Sequence, residues 1–324
     1  MRFYTDIQRN LRRRASRSPT LRRLHGGLLK RRQEALLRLA GWEPAAEAPG
    51  VDPTKMIWIF GSGRSGSTWL RSMMGEMDGH RVWEEPMVGR LFGEFYSRAP
   101  KENLRSADFI MGDPIRRGWI SSIRNFVLDG AKYSNPLLGA EDYLIIKEPN
   151  GSTGAPLLME ALPESRMILL VRDPRDVVAS VFDAARDGGW LNEQSERDGM
   201  ALADRKPDVF VRRRARVYLQ SVGGAKKAYD AHRGPKTLVR YEDLRADTLI
   251  TMRRIYSELG VTVNDAELEM VVEQHSWERV PEGEKGRGKA HRKARPGSWV
   301  EDLTEEQAGV VEQVTAPILE QFYP

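Results

Sequence analysis

Short apolar runs punctuate the chain at four places: MIWIF (56–60), YLIIK (143–147), RMILLV (166–171) and KTLVRY (236–241). Each is brief, rich in β-branched or aromatic side chains and followed by a segment of helical character, the pattern of buried parallel strands. Helices are predicted from Gly66 to about Met77, Pro174 to about Arg186, Pro207 to about His232, Asp247 to Leu259 and Thr304 to Phe322. Pro174 suits the first turn of its helix, where a missing N–H costs nothing. This alternation predicts an α/β fold with a central parallel sheet flanked by helices. Residues 88 to 140 and 184 to 206 have weaker periodicity and many charges, and are expected to form substrate-facing loops or lids.

Composition narrows the picture. A chain of 324 residues that is 40% hydrophobic can build a proper core in one large α/β domain or two small ones. It has no apolar run of about 18 residues and no apolar stretch of signal-peptide type at its front, so the expected location is cytoplasmic. The absence of cysteine excludes disulfides, thiolate metal sites and cysteine nucleophiles, and five scattered histidines argue against a zinc site. The formal charge of +5 points to an acidic ligand or surface. Much of the excess lies between Arg2 and Arg32, where arginines alternate with leucines and Asp6 is the single acid. That segment reads either as a basic amphipathic arm, for anionic membrane, a partner or nucleic acid, or as a solvated helix docked on the domain. The Pro/Ala-rich stretch WEPAAEAPGVDPT then divides a basic extension and linker (1–50) from the compact domain (51–324).

The first apolar run leads into FGSGRSGSTWL (60–70). Gly61, Gly66 and Thr68 fit the phosphate-loop pattern G-x-x-x-x-G-K-[ST], but Ser67 stands where the lysine belongs. A glycine-rich turn that opens a helix aims several backbone N–H groups and the positive end of the helix dipole at one point, so an anion is the natural occupant. Glycine used only to turn the chain is the plainer reading. A kinase or NTPase needs the lysine and a strand ending in an acid for Mg²⁺. Instead, RMILLVRDPRD places Arg172 just beyond its strand, and Ser180 follows two helical turns later, where both can hold one ligand group. The alternative there is a capped helix start, with Arg172 paired to Asp173. A third cationic group, Arg292 and Lys293 in HRKARPGSWVEDL, precedes a Pro-Gly turn. Together the three describe a ligand with anionic groups at two separated ends.

In order and spacing, G-S-G-R-S-G-S-T-W (61–69), Arg172 with Ser180, and R-K-A-R-P-G-S-W (292–299) resemble the motifs of the 3′-phosphoadenosine 5′-phosphosulfate (PAPS) dependent sulfotransferases. The resemblance runs from about Lys55 to Glu301 and implies the P-loop NTPase-like sulfotransferase fold. It also implies that Arg64, Ser65, Gly66, Ser67, Thr68 and Trp69 hold the 5′-phosphosulfate, that Arg172 and Ser180 hold the 3′-phosphate, and that Arg292 and Lys293 complete the nucleotide site. PAPS has no β- or γ-phosphate for the missing lysine to grip. Tyr241, in VRYEDL, matches a segment that contacts the adenine side in several members, although an aromatic at a strand end is more often core. Ala294 replaces the glycine of the late loop, which weakens Arg292 and Lys293 as ligands if the backbone there needs φ > 0. Arg64 stands where cytosolic small-molecule members carry lysine, and is similar to the tyrosylprotein and carbohydrate sulfotransferases.

The resemblance further implies transfer of sulfonate to a hydroxyl or amine without a metal. Arg64 would stabilise the leaving phosphate oxygen, and a histidine or glutamate would take the acceptor proton. Glu85, in HRVWEEPM, lies 21 residues after Arg64, a spacing like that of the catalytic glutamate in tyrosylprotein sulfotransferases. Glu84, Glu148 and His80 are the other candidates, with His80 expected in the loop between helix and strand. Lys147, in KEPN, would face the sulfonate and assist Arg64, or would merely pair with Glu148. The acceptor stays open among glycan, phenol, alcohol and tyrosine peptide, and no specific nucleic acid is expected. Two rival readings are a P-loop nucleotide kinase or NTPase acting on a phosphorylated small molecule, and a non-enzymatic binder that works through the basic N-terminus.

Overall fold

The computed structural model describes residues 50–185, 191, 206–286 and 293–323. The basic N-terminal segment, most of the 184–206 stretch and Arg292 lie outside the described residues. All four apolar runs are strands. With one that lacks an apolar run, they are β1 (Met56–Gly61), β2 (His80–Glu84), β3 (Tyr143–Lys147), β4 (Arg166–Val171) and β5 (Lys236–Arg240). They form one parallel sheet in the order β2-β3-β1-β4-β5.

Parallel pairing requires a crossover between strands, so both faces of the sheet are covered by helices and the inner strands are apolar throughout. Residues Met56 to Phe60 of β1 are fully buried. Their side chains alternate in direction: Met56, Trp58 and Phe60 enter one core with Met167 and Leu169 of β4, while Ile57 and Ile59 enter the other with Ile168 and Leu170.

The first core is closed by α3 (Arg116–Ser134) through Trp119, Ile123 and Val127, and by α4 (Ala155–Ala161) through Leu157 and Leu158. Tyr218, Val222 and Ala225 of α6 (Pro207–Ala231) and Ile318 and Phe322 of α10 (Glu305–Phe322) complete it. The second core is closed by α1 (Ser67–Glu76), α8 (Thr248–Glu258) and α9 (Asp265–Gln274) through Leu70, Met73, Met252, Ile255 and Leu268. Each fully buried side chain of this size contributes about 1.5–3 kcal/mol of transfer free energy. The remaining α-helices among the described residues are α2 (Val88–Arg98), α5 (Pro174–Ala185) and α7 (Tyr241–Ala246), with a single turn at Lys101–Leu104.

Helix limits follow local signals. Thr304 caps α10 in a capping box with Gln307, Asp247 caps α8 by accepting from the Ile250 N–H, and Pro174 opens α5.

Two expectations are corrected. Residues 88 to 140 are not mainly loops: they contain α2 and α3. The glycines that disguise α2 as irregular are there for packing, since a Cβ on Gly93 would sit 2.4 Å from the Gly154 Cα in the 3₁₀ turn Pro149–Gly154. Nor is His80 a loop residue. It opens β2, 6% exposed, stacked on Tyr143 with ring centroids 5.4 Å apart. β2 escaped notice because it is a partly exposed edge strand carrying Arg81 and Glu84, so its alternation is diluted by charge.

Candidate active site

The register sets the carboxyl ends of β2 and β3 level with each other, and β1 and β4 run on past them to Gly61 and Val171. Glu84 lies beside Lys147, Lys147 beside Ile59, and Ile59 beside Ile168. In open parallel sheets this edge is where ligands bind.

β1 runs straight into the phosphate-type loop. Gly61 has φ 153°, and a Cβ there would lie 2.1 Å from the Leu170 carbonyl oxygen, so only glycine lets β1 end against β4. Gly66, at φ 90°, precedes α1 with no side-chain cap, which leaves the first-turn N–H groups of the helix pointing at the loop's concave side. Ser67 is buried at the start of α1 and Thr68 is exposed. The Ser65 hydroxyl is committed within the loop, donating to the Ser62 carbonyl at 2.6 Å, so the hydroxyl braces the turn. Trp69 donates through Nε1 to the His275 carbonyl at 2.8 Å, which anchors α1, and its ring meets that of Tyr241 edge-on at 6.4 Å.

Arg64, Arg172 and Ser180 converge. Arg172 Nη1 donates to the Arg64 carbonyl oxygen at 3.0 Å, and Arg64 Nε donates to Ser180 Oγ at 3.0 Å. Arg64 has φ 67°, an unusual conformation for a residue with a side chain, held here by those long-range bonds. The expected alternative, Arg172 paired to Asp173, is not what forms. Asp173 accepts instead from Arg175 at 2.7 Å, which frees the Arg172 guanidinium for the loop. The Arg172 carbonyl is pinned by the Tyr218 hydroxyl at 2.6 Å, and the Asp173 N–H by Glu242 at 3.0 Å. Tyr241 is 5% exposed and lies under this cluster. Its ring is 4.2 Å from the Arg172 guanidinium carbon, and a Cβ on Gly66 would meet it at 2.5 Å. Tyr241 is thus the floor of the loop, a cation-π support for Arg172.

The late loop is tied to the same cluster by a residue the motif reading passed over. Asp176, four residues after Arg172 and 2% exposed, accepts from the N–H of Gly297 at 2.8 Å and of Trp299 at 2.9 Å, with Arg172 Nη2 at 3.8 Å. Burial raises its pKa, and the nearby Arg172 opposes the shift. Arg175 packs on Trp299 at 4.6 Å. Lys293 is held by Glu301 and Asp302, both at 2.8 Å. Ala294 has φ 47°, so the departure from glycine noted in the sequence falls where the backbone is left-handed.

On the β2–β3 side, Lys147 is 5% exposed and donates to Glu84 at 2.9 Å and Glu85 at 2.5 Å. The expected alternative of a Lys147–Glu148 pair is therefore replaced by a pair with the preceding strand end. Glu84 also pairs with Arg71 of α1 at 2.7 Å, which makes it the helix-side partner. The other oxygen of Glu85 accepts from Asn150 Nδ2 at 2.9 Å. Asn150 in turn packs beside the loop, its Oδ1 at 3.4 Å from where a Cβ on Gly63 would be, an ordinary van der Waals contact, so it lies between Glu85 and the phosphate-type turn. Glu148 points the other way, fully buried, and accepts from the N–H groups of Met87 at 3.0 Å and Gly89 at 3.1 Å. Burial pushes its pKa up to about 7. Burial likewise lowers the pKa of His80, the first residue of β2 at the strand's opposite end from Glu84. No group of His, Cys, Asp and Glu suited to a metal ion occurs among the described residues.

Comparison with known proteins gives the family. The model of the family described as "Sulfotransferase family" matches residues 57–265. The chain therefore belongs to the sulfotransferase family and is an enzyme of the PAPS-dependent kind that its motifs resemble. The kinase reading is set aside.

Among curated relatives it is 25% identical over 289 residues to "Cytosolic sulfotransferase 16" of Arabidopsis thaliana, covering 72% of this chain and 82% of that protein. It is 26% identical over 217 residues to "Protein-tyrosine sulfotransferase 1" of Danio rerio, covering 66% of this chain and 55% of that one. The fold is shared with sulfotransferase STF9 from Mycobacterium avium (TM-score 0.54, 15% identity, 90% of this chain and 81% of that one). It is shared also with mouse sulfotransferase SULT7A1 complexed with PAP (TM-score 0.51, 14% identity, 85% and 87%).

Proposed function

We propose that the protein binds PAPS across the carboxyl edge of its sheet and transfers the sulfonate to an acceptor hydroxyl or amine, with Glu85 as general base. The carrying observation is the convergence of Arg64, Arg172 and Ser180 on the uncapped start of α1, with Glu85 bonded to Asn150, which packs beside the same turn. Loop N–H groups and Arg64 receive the 5′-phosphosulfate; Arg172 and Ser180, with Lys293 and Arg292 of the late loop, receive the 3′-phosphate. That one relative's structure is described as a complex with PAP supports the assignment of the nucleotide.

Sulfonate transfer is mainly placement and charge stabilisation, as phosphoryl transfer is. Charge grows on the phosphate oxygen that leaves, and the Arg64 guanidinium stabilises it without giving up a proton. Glu85 uses one lone pair on each oxygen for Lys147 and Asn150, which leaves capacity to accept the acceptor proton. Lys147 holds Glu85 in place before the donor arrives, and its ammonium is the cation nearest the base when the sulfonate crosses.

The acceptor class stays with the four candidates: phenol, alcohol, glycan or tyrosine peptide. Of the two curated relatives, one is named for a location, the cytosol, and the other for its acceptor, protein tyrosine. No helix among the described residues is long and apolar enough to cross a membrane. In our reading, the basic N-terminal segment serves as a contact with anionic membrane.

A thermal-shift comparison of PAP with ATP, followed by labelled-PAPS transfer to those four acceptor types, tests this function. Stabilisation by PAP and label in an acceptor are expected. Stabilisation by ATP with magnesium alone, and no transfer, would overturn it.

A further inference from the structure

Glu85 sits in a turn that the chain does not favour by itself. Glu85 has φ 43° and Met87 φ 61°, two side-chain-bearing residues in the left-handed region with Pro86 between them. Such a conformation is unfavourable for a residue with a side chain unless its surroundings hold it there. Two sets of bonds do so. The Glu85 N–H extends the sheet ladder to the Lys147 carbonyl at 2.9 Å. Beyond Pro86, the Met87 and Gly89 N–H groups both end on the carboxylate of Glu148.

Glu148 is well placed for that task. Its own N–H donates to the Ile59 carbonyl at 3.0 Å, which fixes it to the strand that carries the phosphate-type loop. Its side chain is fully buried, and one oxygen lies 2.0 Å from where a Cβ on Gly151 would be, so glycine at 151 is what admits the carboxylate. With both oxygens engaged by backbone donors and no exposure to solvent, Glu148 has no route to an acceptor hydroxyl.

We propose that Glu148 is a positioning residue: it clamps the Glu85–Met87 turn against the loop-bearing strand and so sets where the base carboxylate stands. The inference rests on the reading of Glu85 as base. It removes Glu148 from the list of candidate bases and gives it a distinct mechanical role, linking the donor loop to the acceptor side through a single buried side chain.

A double-mutant cycle with an amide-exchange readout tests it. Glu148→Gln keeps the volume but turns an NH₂ toward one of the two backbone donors. It is expected to lower kcat for labelled-PAPS transfer at least tenfold, while stabilisation by PAP is unchanged. Added to Glu85→Gln, it is expected to cost less than a further twofold, because a clamp has nothing to position once the base is gone. An equal loss in both backgrounds would overturn the proposal and give Glu148 an independent chemical role.

Hydrogen exchange at the Met87 and Gly89 amides reads the clamp without catalysis. Protection in the wild type and its loss in Glu148→Gln are expected, and protection that survives the substitution would refute the clamp. If Glu85→Gln kept full activity while those amides still responded to Glu148→Gln, the base assignment would fail and the clamp would stand. Should Glu148→Gln not fold, wild-type exchange at the rate of an open loop would by itself overturn the proposal.

Discussion

Around the phosphate-type turn, the residues that mark the site form local sequence patterns: Gly61 to Thr68 are contiguous, and Arg172, Asp176 and Ser180 repeat at four-residue spacing across the start of α5, although the bonds that join these segments to each other are long-range. At the β2–β3 edge the same density of interactions is assembled from residues that share no such pattern. Lys147 reaches back to Glu84 and Glu85, Asn150 to Glu85, and Glu148 to Met87 and Gly89, across some 60 residues in each case. In the proposed function the first region gathers cations and N–H groups for the nucleotide, and the second holds the base among charges paired with one another. Binding and chemistry are therefore expected to separate: damage to the first region weakens the nucleotide, and damage to the second slows turnover with the nucleotide still held.

The largest expected effect sharpens that separation. Glu85→Gln should lower kcat by about 10²–10⁴, the range of general base catalysis, with PAP stabilisation in thermal shift unchanged. Equal loss of PAP binding in that variant would merge the two regions. Next, Arg172→Ala removes a charge-assisted contact worth about 1.5–3 kcal/mol, so PAP affinity measured by calorimetry should fall about 10- to 150-fold. Turnover at saturating PAPS should change far less. Asp176→Asn is expected to fall between binding and structure. It loosens the late loop from Arg172, so affinity for PAP should drop by roughly tenfold, the scale of one hydrogen bond to a charged group. Affinity for 5′-AMP, which lacks the 3′-phosphate, should hardly move.

A subtler effect lies in pH. Glu148 has its pKa raised from 4.5 to about 7 by burial, so the folded chain holds this proton more tightly than the unfolded chain does. Its contribution to stability is fully present below pH 4.5 and is lost as pH rises through about 7. Denaturation midpoints should thus show a decline across that interval that Glu148→Gln flattens, with Glu85 and Lys147 the charged neighbours that modulate it. Smallest of all, Ala294→Gly relieves a left-handed alanine at φ 47°, a strain of roughly 1 kcal/mol offset in part by the entropy of glycine. A slight gain in PAP affinity is expected, visible in a calorimetric comparison with the wild type.

Legibility followed the same divide. The loop and the Arg172–Ser180 pair were readable because glycine positions, strand ends and helical spacing are short-range properties of a chain. Even the weak point at Ala294 could be named before its φ was known. Asp176 was hidden inside the same motif, since nothing local shows that a carboxylate turns away from the ligand toward a loop more than a hundred residues later. β2 and α2 were missed for opposite reasons: the strand's alternation is broken by charge at an exposed edge, and the helix's glycines look like breakers until the turn they pack against is present.

By itself, the order of residues determined the parallel α/β plan, the glycine-rich turn and the arginine beyond β4, because burial periodicity and backbone freedom act over a few residues at a time. Only the tertiary structure decided which carboxylate stands near the glycine-rich loop and which is buried against backbone N–H groups. Glu84, Glu85 and Glu148 are chemically alike along the chain, and their roles differ solely through the donors that strand register and helix packing bring to each.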